Sequence, residues 1–191
     1  MRGLRTGSRP VERLFRRRGL PHNGAMEPRP ALSSSPLPPP GLRAPEAADY
    51  LALAGWVRDA DTCLRWAGPK LKYPFKPARL SHLLAEPGAN SRVMSQGEAG
   101  PALGFGQFWV RDAGVAHLAR IILAPTARGQ GLGTTLCELL MAEAVRVTGA
   151  TAFTLRVYRD NDPALAIYER LGFTVVPALS DERVFAMRKE G

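Results

Sequence analysis

Arg128-Gly129-Gln130-Gly131-Leu132-Gly133 is the stretch on which the fold turns. Before it runs Val115–Leu123, ending in the apolar triplet Ile121-Ile122-Leu123; after it Leu132, Leu136, Leu139, Leu140, Ala144 and Val147 recur at helical spacing. A strand, a glycine-rich turn and an amphipathic helix therefore follow one another, and the apolar strand end suits burial on both faces. Glycines let backbone amides meet a ligand with no Cβ in the way. The helix starting among them presents unsatisfied N–H groups and a partial positive charge. The combination predicts an anion site with phosphate as its guest, and Arg128 adds charge at the rim. Two phosphate loops are excluded. No lysine follows the glycines as a Walker A loop requires, and Thr134 and Leu136 stand where the dinucleotide fingerprint needs its third glycine.

Working outward, Gly149 ends the helix, and Phe153, Leu155 and Val157 alternate as a strand. Ala164, Ile167, Tyr168 and Leu171 repeat as a second helix that stops at Gly172, and short strands are expected over residues 173–176 and 184–187. The strand–helix–strand unit over 115–157 predicts a right-handed parallel crossover. Upstream, strands over 91–96, 103–110 and 115–123 are separated by Gly97-Glu98-Ala99-Gly100 and Asp112-Ala113-Gly114, which predicts an antiparallel meander. A short strand at Leu42-Arg43, helices over 45–57 and 59–66, an irregular loop over 70–77 and a small helix carrying Leu80, Leu83 and Leu84 precede it. The expected class is α/β with a mixed sheet.

At this point the chain resembles the GNAT acetyltransferase superfamily. R-x-x-G-x-G between an apolar strand and a helix is similar to that family's acetyl-CoA loop. Asn161, Ala164, Tyr168 and Leu171-Gly172-Phe173 follow its N-x-x-A-x-x-x-Y-x-x-x-G-F arrangement, and Ile121-Ile122-Leu123-Ala124-Pro125 resembles its approach strand. The resemblance covers residues 42–191. It implies a mixed central sheet, flanked by helices, whose fourth and fifth strands splay apart to admit acetyl-CoA as co-substrate. It assigns the backbone of Ile121, Ile122 and Leu123 to the pantetheine arm. Arg128, Gly129, Gln130, Gly131, Leu132 and Gly133 fall to the pyrophosphate, and Asn161 to a position near the cofactor. Read from its neighbours alone, Asn161 is also a helix N-cap. Tyr168 takes the general-acid position, its phenol donating to the departing thiolate, with packing against Phe173 as the plainer alternative. The activity implied is acetyl transfer to a primary amine, on a small molecule or a peptide, by direct attack in a ternary complex. A regulatory or degenerate module that binds acyl-CoA without efficient transfer is the alternative.

No general base stands out. Arg120 rather than a carboxylate occupies the late part of the fourth strand, His117 is a lone strand histidine, and Glu98 lies in a turn. Trp56, Trp66 and the Tyr73-Pro74-Phe75 segment are candidates either for the core or for an acceptor pocket.

The charge of +9 sits mostly in the first 45 residues, which hold nine arginines against Glu12 and Glu27, so the remainder is nearly neutral. That argues against a nucleic-acid-binding domain and leaves only the arginine-rich tail for such a contact. Eight of the 17 prolines fall within residues 1–41, which are expected to form a disordered tail unable to join a sheet, with residues 42–191 as the folded domain; Met26 is an alternative start. Arg16-Arg17-Arg18 lacks the apolar region of an export signal. No apolar run is long enough for a membrane span, and no cysteine or histidine cluster suits a metal. Cys63 and Cys137 are expected to be buried thiols in a reducing, cytoplasmic compartment. Composition says nothing of oligomeric state.

Overall fold

The computed structural model describes residues 38–191, so most of the expected tail lies outside the described residues. Among these residues seven strands form one sheet in the order β1-β2-β3-β4-β5-β7-β6. The strands are β1 (Pro40–Arg43), β2 (Asn90–Gln96), β3 (Ala102–Asp112), β4 (Val115–Leu123), β5 (Ala152–Tyr158), β6 (Thr174–Val175) and β7 (Val184–Glu190). β1 to β4 form the expected antiparallel meander, and β4–β5 is the parallel pair joined through a helix.

Among the described residues five α-helices flank the sheet: α1 (Ala47–Trp56), α2 (Ala60–Ala67), α3 (Leu80–Leu83), α4 (Leu132–Thr148) and α5 (Asp162–Arg170). Their ends follow from local chemistry. At α1, Glu46 and Asp49 form a capping box. The Asp59 carboxylate accepts from the Thr62 N–H at 2.7 Å to cap α2. Gly149, in the left-handed region, closes α4. One-turn 3-10 segments at Pro77–Arg79, Pro125–Ala127 and Pro177–Leu179 each open on proline, whose fixed φ suits a helical first position.

The two faces of the sheet carry separate cores. Leu136, Cys137, Leu140, Met141 and Ala144 of α4, with Tyr168 of α5, pack on Phe108, Leu118, Phe153 and Leu155. On the opposite face Leu53, Cys63, Leu80 and Leu84 from α1–α3 and the turn after them pack on Val93 and Phe105. Both cysteines are buried as expected. Burial raises the Cys63 thiol pKa and, with the nearby Glu138 charge adding to it, pushes Cys137 up to about 12.

Two expectations need adjusting. The first strand begins at Pro40, inside the segment expected to be excluded from the sheet. β1 is an edge strand with one neighbour, and proline's missing donor is tolerated there. The strand expected over 173–176 shortens to Thr174–Val175, because Phe173 turns inward against Tyr168, ring centroids 5.9 Å apart.

Candidate active site

The register defines an opening in the middle of the sheet. β4 pairs with β5 only at Val115–Ala152, Ala116–Phe153 and His117–Thr154. Beyond that point β4 stays zipped to β3 as far as Leu123, while β5 stays zipped to β7 as far as Tyr158. The two strands diverge, so the ladder groups of Leu118–Ile121 and Leu155–Tyr158 that face each other have no partner strand between them. Buried backbone donors and acceptors need partners, and a cleft lined by two such rows is fitted to an extended ligand that supplies them. Leu118, Arg120, Ile121, Val157, Asn161 and Tyr168 are among its lining residues.

β4 is irregular where the cleft begins. Arg120 has φ of 53°, the only positive φ outside glycine among the described residues, and the β3–β4 register shifts between Phe105 and Gln107. This is a β-bulge, and it re-aims the backbone at the cleft wall. The conformation is held from both ends. The Arg120 guanidinium, 7% exposed, donates to the Leu84 carbonyl at 2.7 Å and to Gln107 Oε1 at 2.6 Å, and pairs with Glu86 at 3.2 Å. The Arg120 carbonyl accepts from Trp66 Nε1 at 2.7 Å. Burial lowers the Arg120 pKa and the Glu86 carboxylate works against that shift.

Beyond the strand comes the glycine turn, whose backbone is shaped by two residues in the left-handed region. Gly129 and Gly131 have φ of 74° and 76°, and a Cβ on Gly131 would meet nothing within 4 Å. These positions need glycine for their backbone conformation, and the space in front of them is open. The N–H groups of Leu132 and Gly133 open α4 with no intrahelical acceptor, and its first turn holds no acid to compete for them. Gly133 is small for another reason: a Cβ there would stand 2.7 Å from Ile167 Cδ1, so it sets how closely α4 approaches α5. Arg128 is exposed and donates to the Leu123 carbonyl at 3.3 Å, and Gln130 to the Thr126 carbonyl at 2.7 Å. Both side chains brace the turn.

The remaining expected residues are distributed unevenly. Tyr168 lines the cleft at 7% exposure, and its hydroxyl makes no hydrogen bond among the described residues. Burial, with the neighbouring Cys137 adding to it, pushes its pKa well above the ordinary tyrosine value. Asn161 occupies the N-cap position of α5, but its side chain caps nothing and lines the cleft instead. Of the three late β4 residues only Ile121 lines the cleft; Ile122 packs in the core beneath α1–α3, and the Leu123 carbonyl is taken by Arg128. His117 lies in the paired half of β4. Its Nδ1 is 3.0 Å from Thr154 Oγ1, and burial, with Arg111 and Arg156 nearby, holds its pKa down at about 4. Among the described residues no Asp, Glu or His lines the cleft.

Trp66 of α2, a candidate for core or acceptor pocket, lines the cleft, but sequence reading missed Arg65 beside it and the contribution of β5. Arg65 stacks 4.5 Å over the Tyr158 ring and pairs with Asp160 at 2.6 Å, bringing α2 to the cleft mouth beside Trp66. Trp56 packs in the core beneath α1–α3. One available signal was Gly104-Phe105-Gly106, because glycines inside a strand mark a bulge or a close backbone approach.

Comparison with known proteins agrees with this geometry. Residues 56–173 match the profile described as "Acetyltransferase (GNAT) family". The chain is 24% identical over 132 residues to the human alpha/beta-tubulin-N-acetyltransferase 9, covering 69% of this chain and 57% of that protein. It is 32% identical over 74 residues to an N-acetyltransferase 9-like protein of Nematostella vectensis, covering 39% of this chain and 36% of that one. It is 30% identical over 132 residues to the mycothiol acetyltransferase of Corynebacterium glutamicum, covering 65% and 42% respectively. The chain thus spans between about a third and three-fifths of the length of these relatives. Among solved structures, the spermidine N-acetyltransferase of Vibrio cholerae with CoA and spermine superposes at TM-score 0.66 with 19% identity, covering 79% of this chain and 95% of that one. AAC(6')-Ib with ribostamycin and coenzyme A superposes at 0.62 with 20% identity, covering 79% and 93%. At that identity the structures speak for the fold.

Proposed function

The chain belongs to the acetyltransferase (GNAT) family, and we propose that it transfers an acetyl group from acetyl-CoA to a primary amine by direct attack in a ternary complex. The observation that carries this reading is the divergence of β4 from β5 into a cleft that holds Tyr168 and runs beside the glycine turn at the start of α4. When bound, acetyl-CoA supplies a thioester carbonyl for the amine and a thiolate as leaving group.

The residues present fit such a ligand. The N–H groups of Leu132 and Gly133 and the backbone of Gly129–Gly131 hold the pyrophosphate, with Arg128 at the rim. Unpaired β4 ladder groups from Leu118 onward, those of Ile121, Ile122 and Leu123 among them, take the pantetheine amides. Asn161 supplies a side-chain amide from the β5 side. Tyr168 keeps its proton throughout the neutral range and offers it to the thiolate. With no carboxylate or imidazole lining the cleft, the amine loses its proton to water. An α-amino group, with pKa about 7.7–8.0, suits that arrangement better than a lysine side chain near 10.4. Buried free thiols fit a cytoplasmic setting, and among the described residues no helix is long and apolar enough to cross a membrane.

The absence of a general base at the cleft favours one second reading, an acyl-CoA-binding module without efficient transfer. Free thiol released from acetyl-CoA across a panel of amines separates the two. Amine-dependent release supports the enzyme. Tight acetyl-CoA binding with no release above hydrolysis supports the module.

A further inference from the structure

The cleft does not end at β5. Leu155 and Arg156 also line a second depression, floored by Val176, Leu179 and Ala186 and edged by Arg111, Arg156 and Arg188. The strand register explains the continuity. Thr154, Arg156 and Tyr158 alternate onto one face of β5. Across the sheet Thr154 pairs with His117 and with Arg188, and His117 with Trp109, so these side chains form one row. The 3.0 Å contact of His117 with Thr154 and the 5.1 Å approach of the Trp109 and His117 rings confirm that they share a face. Helices α1–α3 pack on β2, β3 and late β4 of that face and leave this row partly open.

The charged side chains that line the depression have one predominant sign. Arg120 is turned into the core against Glu86 and Arg65 is paired with Asp160 at the cleft mouth, whereas the depression presents Arg111, Arg156 and Arg188 against Asp112. Arg156 pairs with Asp181 at 2.8 Å and Arg188 with Glu190 at 2.6 Å, all four side chains being at least 41% exposed. Exposed pairs of this kind contribute little net stability, so an incoming carboxylate can exchange with them. Arg111 has no carboxylate partner among the described residues.

Length selects the kind of acceptor. From Tyr158 at the cleft to the Thr154–Arg188 row is four residues of strand, about 13 Å at ~3.3 Å per residue. A free amino acid is too short to react beside Tyr168 and also reach that row, whereas an extended peptide of four residues spans it. We propose that this depression holds the acceptor beyond its reacting nitrogen, and that the acceptor is a peptide N-terminus with Asp or Glu among its second to fourth residues. The inference rests on the acetyltransferase reading above and deepens it.

The test uses the full chain and two short peptides that share an N-terminal alanine, one continuing Asp-Glu-Glu and the other Lys-Lys-Lys. Acetylation rates are measured, and peptide affinity is measured separately by calorimetry with CoA present. The expected result is a kcat/KM at least about tenfold higher for the acidic peptide, with tighter binding, and a preference that shrinks between ~50 and ~300 mM salt. Arg111→Glu with Arg188→Glu should reverse the preference, and the Arg111→Gln, Arg188→Gln pair should flatten it. Retained acetyl-CoA affinity confirms folding of either variant. Equal kcat/KM and equal affinity for the two peptides overturn the inference, as does acetylation of free amino acids or spermidine with neither peptide used. If no amine is acetylated, the acetyltransferase reading fails and the affinity arm decides alone: acid-selective peptide binding upholds the groove, and indifference removes it.

Discussion

At the scale of single residues, Tyr168 and Arg120 carry the most chemistry. Tyr168→Phe keeps the ring against Phe173 and removes only the hydroxyl. If the phenol protonates the leaving thiolate, turnover should fall, by at most the ~10² to 10⁴ typical of general-acid assistance, while acetyl-CoA affinity stays constant. Because burial holds the phenol protonated well past its ordinary range, the high-pH limb of the rate profile belongs to another group. The limb should therefore lie at the same pH in both proteins between about pH 6 and 10. Wild-type turnover in the Phe variant would leave Tyr168 a packing residue. Arg120 acts through the backbone. Arg120→Ala strips the bonds to Leu84 and Gln107 and leaves a buried amide oxygen unpaired, which should cost about 2–4 kcal/mol in denaturant unfolding. Turnover should drop more than acetyl-CoA affinity, because the bulge shapes the cleft wall near the transfer point, whereas the glycine turn holds the phosphates. Equal losses in both would reduce Arg120 to a stability residue.

Among elements, the junction of β4, the glycine turn and α4 can be taken apart with two glycines. Gly131→Val places a β-branched residue at φ of 76°, in space no protein atom fills. The left-handed conformation costs roughly 1–2 kcal/mol, and the new side chain stands where a phosphate must approach. Calorimetry should show acetyl-CoA affinity down by about tenfold or more, with only a modest fall in Tm. Gly133→Val instead drives against Ile167 and should lower Tm more, as α5 is forced off α4. The reverse ranking of Tm losses would contradict this division of labour. These elements were legible in the sequence because each is local: glycines at a strand end and an apolar period of 3.6 announce themselves within a dozen residues. The bulge at Arg120 was not legible, since arginine has no preference for positive φ and the cause lies in Gln107, Leu84 and Trp66, the last 54 residues away. The extent of the β4–β5 opening was equally hidden, because register is a property of two strands and neither alone encodes it. Only the family resemblance supplied it. For Asn161 the N-cap position followed from the neighbouring Asp162-Pro163, whereas a side chain facing the cleft was implied only by the family resemblance.

For the whole molecule, the decisive question is where the fold starts. The composition shift near residue 42 points to a domain beginning at Leu42, yet β1 begins at Pro40 and pairs with Val93–Gln96, and Leu42 packs against the α4 core. Arg43 grips Asp49 through two bonds of 2.5 and 2.8 Å and also donates to the Gly100 carbonyl, tying the edge strand to α1 and to the β2–β3 turn. Asp49 is 7% exposed and serves the α1 capping box as well. A chain starting at residue 38 should therefore match the full chain in Tm and acetyl-CoA affinity. One starting at residue 44 loses β1 and leaves Asp49 a buried carboxylate without its cation, which should cost about 3–5 kcal/mol. The pH dependence distinguishes this cause from the mere loss of a strand. The Arg43 hydrogen bond holds the Asp49 pKa below the ordinary aspartate value. A depressed folded-state pKa contributes stability in full above the unfolded value of about 3.9 and loses it as pH falls toward the folded value. The chain starting at residue 38 should thus lose stability on acidification through that window. The chain starting at residue 44 should show a shallower acid slope, having already lost the pair. Urea unfolding at a series of pH values reads both slopes, and parallel slopes would mean that the Arg43–Asp49 pair is not what secures the start of the domain.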